Sequence, residues 1–337
     1  MRGEDLSANE VALAIGRLMD GEEPPTRVAG LLVAMAVKGE TADEVVGAAR
    51  AMRERALRVE HELPLVLDIV GTGGDGAHTI NISTAASMVV AGAGVPVAKH
   101  GNRAASSKCG SADVLEALGV EISVGPQEAA RRLREDCIAF LFAQRYHPAF
   151  KNVAPLRRDL GVPTIFNVLG PLTNPAGANR QVVGVAREPL VPLVANALLG
   201  LGCERAAVIH SLDGVDELSG AAPALVTMVR DGRVETGRLD PADYGVRAEL
   251  SELRGGEAAE NARALESILA GERSPRADVV ALNAALALYV AGAAEDVREG
   301  LALARRSILE GRALATLEAM RRARAECEPA HGAKEAR

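Results

Sequence analysis

From Leu65 onward the chain alternates short, apolar, β-branched runs with helical patterns, and this alternation restricts the fold more than any other feature. Strands are expected at 65–70, 95–98, 139–142, 181–186 and 205–210, with helices between them at 84–93, 112–118, 127–134, 150–160 and 191–201. Neighbouring parallel strands need a crossover, and a helix supplies it. The pattern therefore implies an α/β fold with a central, mostly parallel sheet flanked by helices. Runs at 224–230 and 233–239, joined by Asp231-Gly232, read as an antiparallel hairpin added to that sheet. Residues 258–326 read as helical.

No strand signal precedes Leu65. Ser7 with Glu10, and Thr41 with Glu44, form capping boxes ahead of helical runs, the second of which points towards Arg58. Between them Pro24 and Pro25 open a helix that Gly39 ends. The expected division is a small helical domain at 1–64 and a large α/β domain at 65–330. The proline- and glycine-rich stretch 163–180 would complete the helical part as a hinge. The stripe Val28, Leu31, Leu32, Met35 and Ala36 is more apolar than a helical trio normally hides; it suits packing on the main domain, a dimer interface, or both.

A formal net charge of -7, 2% aromatic residues and no tryptophan argue against nucleic-acid or anionic-membrane binding. No signal-peptide or membrane-spanning run is read, and the four cysteines lack C-x-x-C spacing, so a reduced, cytoplasmic protein is expected. In such an acidic chain, a local cluster of cations marks a ligand.

Two glycine-rich loops carry that cluster. GTGGDG at 71–76 follows a strand and precedes Asn81, Ser83 and Thr84 at a helix start. It has neither the Gly-Lys-Ser/Thr of a Walker loop nor the dinucleotide spacing, and its hydroxyls could simply cap the helix. KHGNRAASSKCGS at 99–111 adds Lys99, His100, Arg103 and Lys108 to a run of short polar groups. Backbone N–H groups at helix starts, with nearby cations, suit a phosphate ester. His100 is a candidate acid–base group or a pocket wall, and Cys109 reads as a small loop residue rather than a nucleophile. Asp216 and Glu217, in DGVDE after a strand, suit Mg²⁺ or a plain acidic turn. Arg157 and Arg158 are both candidates for pairing a substrate carboxylate, and spacing does not choose between them.

Together GTGGDG…NIST, KHGNRAASSKCGSADVLEALG, HPAFKNVAPLRRDLG…TIFNVLGPLTNP and DGVDE resemble the anthranilate phosphoribosyltransferases, from about residue 8 to residue 320. The resemblance implies a cytoplasmic homodimer, joined through the helical domain, that transfers phosphoribose from phosphoribosyl pyrophosphate (PRPP) to anthranilate with Mg²⁺ in tryptophan biosynthesis. By motif position it implies PRPP contacts at Gly71, Gly74, Asp75, Thr79, Asn81, Ile82, Ser83, Thr84, Lys99, Asn102, Arg103, Ser106, Ser107 and Ser111. Metal ligands would be Ser83, Asp216 and Glu217, and the anthranilate site Gly71, Asn102 and Arg157. Lys99, His100, Asn102 and Arg157 would serve catalysis. Gln144 and Pro163 depart from the family pattern, at positions expected to lie clear of the ligand residues. Pyrimidine nucleoside phosphorylases share the architecture, but their Lys-x-Ser and Ser-Gly-Arg signatures are missing here. A relative of this fold that binds nucleic acid without catalysis would be expected to be basic and to have lost these motifs.

Overall fold

The computed structural model describes residues 3–104 and 108–327. Within them, one sheet holds β1 (Leu67–Gly71), β2 (Val97–Gly101), β3 (Ile138–Phe142), β4 (Arg180–Gly184), β5 (Arg205–Ser211), β6 (Ala224–Arg230) and β7 (Arg233–Leu239). Their order is β3-β2-β1-β4-β5-β6-β7. The first five run parallel, and β6 and β7 are antiparallel. From β1 the chain moves outward to β2 and β3, then returns to place β4 on the other side of β1. Such a reversal opens a crevice beyond the C-terminal ends of the central strands.

Alternate residues of each strand feed opposite layers. Leu67, Ile69, Val97, Phe140, Val182 and Ile209 pack into one core with helix Ile82–Gly92 and the C-terminal helices. Val183, Val185, Ala206 and Val208 face a second core, and Val66, Ala98 and Leu141 a third, on the other side. Helices cover both faces, as the sequence pattern requires.

The N-terminal helices are α1 (Ala8–Met19), α2 (Pro25–Lys38) and α3 (Ala42–Glu54), and both expected capping boxes are present. Helix α3 stops at Glu54, short of Arg58. Val28, Leu32 and Met35 of the apolar stripe are buried in the second core, with Val11, Ile15, Val46 and the helix Leu190–Gly200. Burial of this stripe therefore comes from packing within the chain. The expected single helix at 150–160 is instead a 3-10 turn, Pro148–Asn152, followed by helix Ala154–Leu160. Pro155 cannot donate within a continuing helix, so the segment restarts around it.

The stretch 163–180 is ordered by packing. Ile165, Phe166, Leu169 and Leu172 join the core shared with α1 and α3, and the Arg53 guanidinium donates to the Leu172 carbonyl. At its other end Asn174 donates to Asp68 at 2.7 Å and to the Ala98 carbonyl at 2.8 Å, tying the segment to β1 and β2. No helix among the described residues is long and apolar enough to cross a membrane.

Candidate active site

The first glycine loop leaves β1 at the crevice and enters helix α4 (Ile82–Gly92). Gly73 and Gly74 take φ of 66° and 83°, a region that side chains disfavour, so the loop can turn over the strand ends. Neither Ser83 nor Thr84 caps α4. Asn81 occupies the N-cap without a side-chain capping bond, the Ser83 N–H donates to the Glu217 carboxylate at 2.9 Å, and the buried Thr84 hydroxyl has no partner among the described residues. The capping explanation of these hydroxyls therefore fails.

Glu217 and Asp216 arrive from the loop after β5. Asp216 accepts from the Gly73 N–H at 2.8 Å, and its backbone lies so close to Gly184 that a Cβ there would overlap its carbonyl oxygen. A Cβ on Gly71 would overlap its carboxylate. Asp75 lies close enough to Asp216 to act on its charge. Burial pushes the Asp216 carboxyl up, with Asp75 adding to the shift; burial pushes Glu217 up as well, with Asp216 adding. Lys99 is the neighbouring cation: its ammonium is buried, donates to the Ile69 carbonyl at 2.7 Å and lies 3.5 Å from the Ser83 hydroxyl. Burial lowers its pKa against the pull of Asp68 and Glu217. The acids Asp68, Asp75, Asp216 and Glu217 outnumber the one ammonium. That fits a divalent cation that takes one or two carboxylates and completes its shell with phosphate oxygens and water.

In the second loop, Asn102 accepts from the Arg103 N–H and, at 3.4 Å, from the Gln144 amide. The Arg103 guanidinium is spent on Asp113 and Glu116, beside the Phe142 ring. Ser111 starts helix α5 (Ser111–Ala117), and its hydroxyl donates to the Asn102 carbonyl at 3.3 Å. The His100 N–H donates to Asp68, and its ring lies against the Gly170 carbonyl and His147. Burial pushes that imidazole down to about 3, so it stays neutral at physiological pH. Arg157 is half-buried, its guanidinium 5.5 Å from the Phe150 ring centre and 5.9 Å from that of Phe166. Burial lowers its pKa. Arg158 is exposed.

The residues match two models of a glycosyl transferase family: the helical bundle domain over residues 1–56 and the α/β domain over 63–314. An anthranilate phosphoribosyltransferase of Symbiobacterium thermophilum is 52% identical over 320 residues, covering 95% of this chain and 94% of its own. The chain belongs to the anthranilate phosphoribosyltransferase family. Among solved structures, the anthranilate phosphoribosyltransferase of Thermus thermophilus superposes with a TM-score of 0.91 at 46% identity, over 95% of this chain and 96% of that one. The Saccharomyces cerevisiae enzyme in complex with PRPP and Mg gives 0.86 at 30% identity, over 95% and 94%. Another structure of the yeast enzyme holds 4-fluoroanthranilate.

As a member of the anthranilate phosphoribosyltransferase family, the chain departs from the motif-based expectations in several places. Ile82 is fully buried in the core, so its side chain cannot be a ligand contact. Arg103 is paired with Asp113 and Glu116 of the helix just beyond its loop, a pairing the motif did not foretell. His100 lacks the basicity of an acid–base group and serves as a packed wall between β2 and the 163–180 segment. Gln144 does touch a matched position, Asn102, contrary to expectation. Ser106 and Ser107 lie outside the described residues. Cys109, buried with its thiol pushed up to about 11, is no nucleophile. Asn174 and Asp68, which join the 163–180 segment to the strands beneath the site, carried no local sequence signal.

Proposed function

We propose that the chain transfers the phosphoribosyl group of PRPP to the amine of anthranilate, giving N-(5-phosphoribosyl)anthranilate and pyrophosphate, with Mg²⁺. The convergence of Asp216 and Glu217 on the first glycine loop, beside the buried Lys99, carries this reading. Asp216 and Glu217, with Ser83 beside them, would hold the cation, which supplies Lewis-acid stabilisation to a departing diphosphate. Lys99 offers a fixed positive charge, and Gly71, Gly74, Asp75, Thr79, Asn81 and Thr84 shape the first loop around the sugar phosphate. Asn102 and Ser111 line the second loop.

Breaking the bond from C1 to the diphosphate oxygen leaves positive charge on the ribose and negative charge on the leaving group. The aromatic amine is neutral at pH 7 and attacks C1 with its own lone pair, so no strong base is needed; a neutral His100 agrees with that. The remaining task is orientation, which lowers barriers by roughly 7–11 kcal/mol in good cases. Arg157 would hold the anthranilate carboxylate, and its charge, over two aromatic rings and in no ion pair among the described residues, favours it over Arg158. Replacing Arg157 with Ala is expected to raise the KM for anthranilate about 10–100-fold and to spare the KM for PRPP; steady-state kinetics with each substrate varied in turn checks this. An unchanged anthranilate KM removes Arg157 from the site.

The decisive assay is loss of anthranilate fluorescence on adding PRPP and Mg²⁺. A purified, folded chain that leaves the fluorescence unchanged refutes the reading, and phosphorolysis of thymidine would favour the nucleoside phosphorylase alternative. We place the domain division at residue 64, close to where the matched α/β segment begins at 63, with 163–180, which lies within that segment, completing the helical part. The cytoplasm suits this chemistry. A homodimer through the helical domain would cover Val33 and Val37, one turn apart on α2 and 38% and 84% exposed. Sedimentation equilibrium is expected to give about twice the chain mass, and Val37→Asp to halve it.

A further inference from the structure

The two loops of the proposed site are joined by a chain of side-chain amides that begins 180 residues away from the first of them. Asn261 lies on helix Ala258–Leu269 and is buried to 2% exposure. Its Oδ1 accepts from the Gly256 N–H at 2.8 Å, and its Nδ2 donates to Asn81 Oδ1 at 2.9 Å. Asn81 in turn donates through Nδ2 to the Cys109 carbonyl of the second loop at 3.1 Å. Every orientation in this relay is forced. A backbone N–H can only donate and a carbonyl can only accept, so Gly256 turns the oxygen of Asn261 inward and Cys109 draws the nitrogen of Asn81.

The surrounding backbone holds the relay in place. Thr79 pairs with Arg254, the Ile80 N–H donates to the Leu253 carbonyl, and the Gly255 N–H donates to the His78 carbonyl. A Cβ on Gly255 would come within 2.7 Å of Asn261 Oδ1 and 2.8 Å of the Thr79 carbonyl, so this close approach requires glycine. The first loop is thereby clamped at 78–81 to the 253–261 segment, and through Asn81 to the second loop at Cys109.

We infer that Asn261 is a positioning residue for PRPP: it fixes the Asn81 amide and with it the spacing of the two loops. It touches no reacting atom and acts through Asn81. The inference rests on the phosphoribosyl-transfer reading above. Without Asn261 the Asn81 amide is free to rotate and the loops to part, while the Arg157 region is unaffected.

The test is steady-state kinetics of the wild-type chain, Asn261→Ala, Asn261→Asp, Asn81→Ala and the Asn81→Ala/Asn261→Ala double variant. The Asp variant keeps volume and the bond from Gly256, so it retains the fold should the Ala variant lose it. Asn261→Ala and Asn261→Asp are expected to raise the KM for PRPP about tenfold, leave the KM for anthranilate within about twofold, and add no further loss in the Asn81→Ala background. A merely structural role would lower the thermal midpoint and the active fraction without moving one KM alone. An active wild type with unchanged PRPP KM in the soluble variants, or with additive losses in the double variant, overturns the inference while sparing the reaction. An inactive, folded wild type overturns the reaction itself, and this inference with it.

Discussion

Replacing Asp216 and Glu217 together, as Asp216→Asn/Glu217→Gln, is expected to lower turnover about 10³-fold and to abolish its response to Mg²⁺. The same variant is expected to be more heat-stable than the wild type when no ligand is bound. Both carboxyls sit where burial and a neighbouring acid, Asp75 for one and Asp216 for the other, push their proton affinity above the ordinary carboxylate range. Their neutral isosteres escape desolvation and mutual repulsion, while the bonds from Gly73 and Ser83 can persist to the amide oxygens. The sign of the pH dependence follows. In the native chain these groups hold protons more tightly than in the unfolded one, so their contribution to stability is present at low pH and is lost as pH rises through the raised values. A cation has to displace those protons, so Mg²⁺ binding should tighten with rising pH, and the Mg²⁺-induced gain in melting temperature should grow with it. Calorimetric melting at several pH values, with and without Mg²⁺, measures this. A double variant with full Mg²⁺-dependent turnover, or a Mg²⁺ gain that shrinks as pH rises, would remove the pair from the metal site.

Local signals in the sequence proved accurate where the physics is local. Ser7 with Glu10 and Thr41 with Glu44 close their capping boxes within four residues. Strands β6 and β7 begin and end where the hairpin pattern put them, because Asp231 and Gly232 both take positive φ in a two-residue turn. The loops themselves were legible from their glycines. What those loops are bonded to was not. The partner of the Ser83 N–H is Glu217, 134 residues on, and that of Asn81 is Asn261; spacing along the chain carries no information about either contact. Arg103 shows the same limit: its pairing with Asp113 and Glu116, on the helix just beyond the loop, had no signal in the sequence. Burial was also hidden: Lys99 and His100 read as loop residues after a strand ending at 98, but the strand runs on to Gly101 inside the sheet, so both are 4% exposed.

A single methyl group at position 184 should nearly silence the enzyme. Gly184 ends β4, its carbonyl accepts from the Thr72 N–H at 2.9 Å, and the Asp216 carbonyl oxygen occupies the space a Cβ would need. The obstructing atom is backbone, so no rotamer change relieves the overlap; the loop bearing Asp216 and Glu217 has to lift off the sheet. A shift of about 1 Å in a positioned group can cost 10²-fold in rate, and a loss of that order is expected for Gly184→Ala, with weaker Mg²⁺ binding. Gly71→Ala presses on the same Asp216 from its carboxylate side, so the two losses should not multiply in the double variant. Gly237→Ala is the control: this strand glycine has nothing within 4 Å of its would-be Cβ, and alanine there should leave activity unchanged. Mg²⁺ titration and kcat/KM, read beside melting curves, separate a displaced metal site from a misfolded chain. Gly184→Ala with wild-type kcat/KM and Mg²⁺ affinity would mean that the β4 end does not set the position of Asp216.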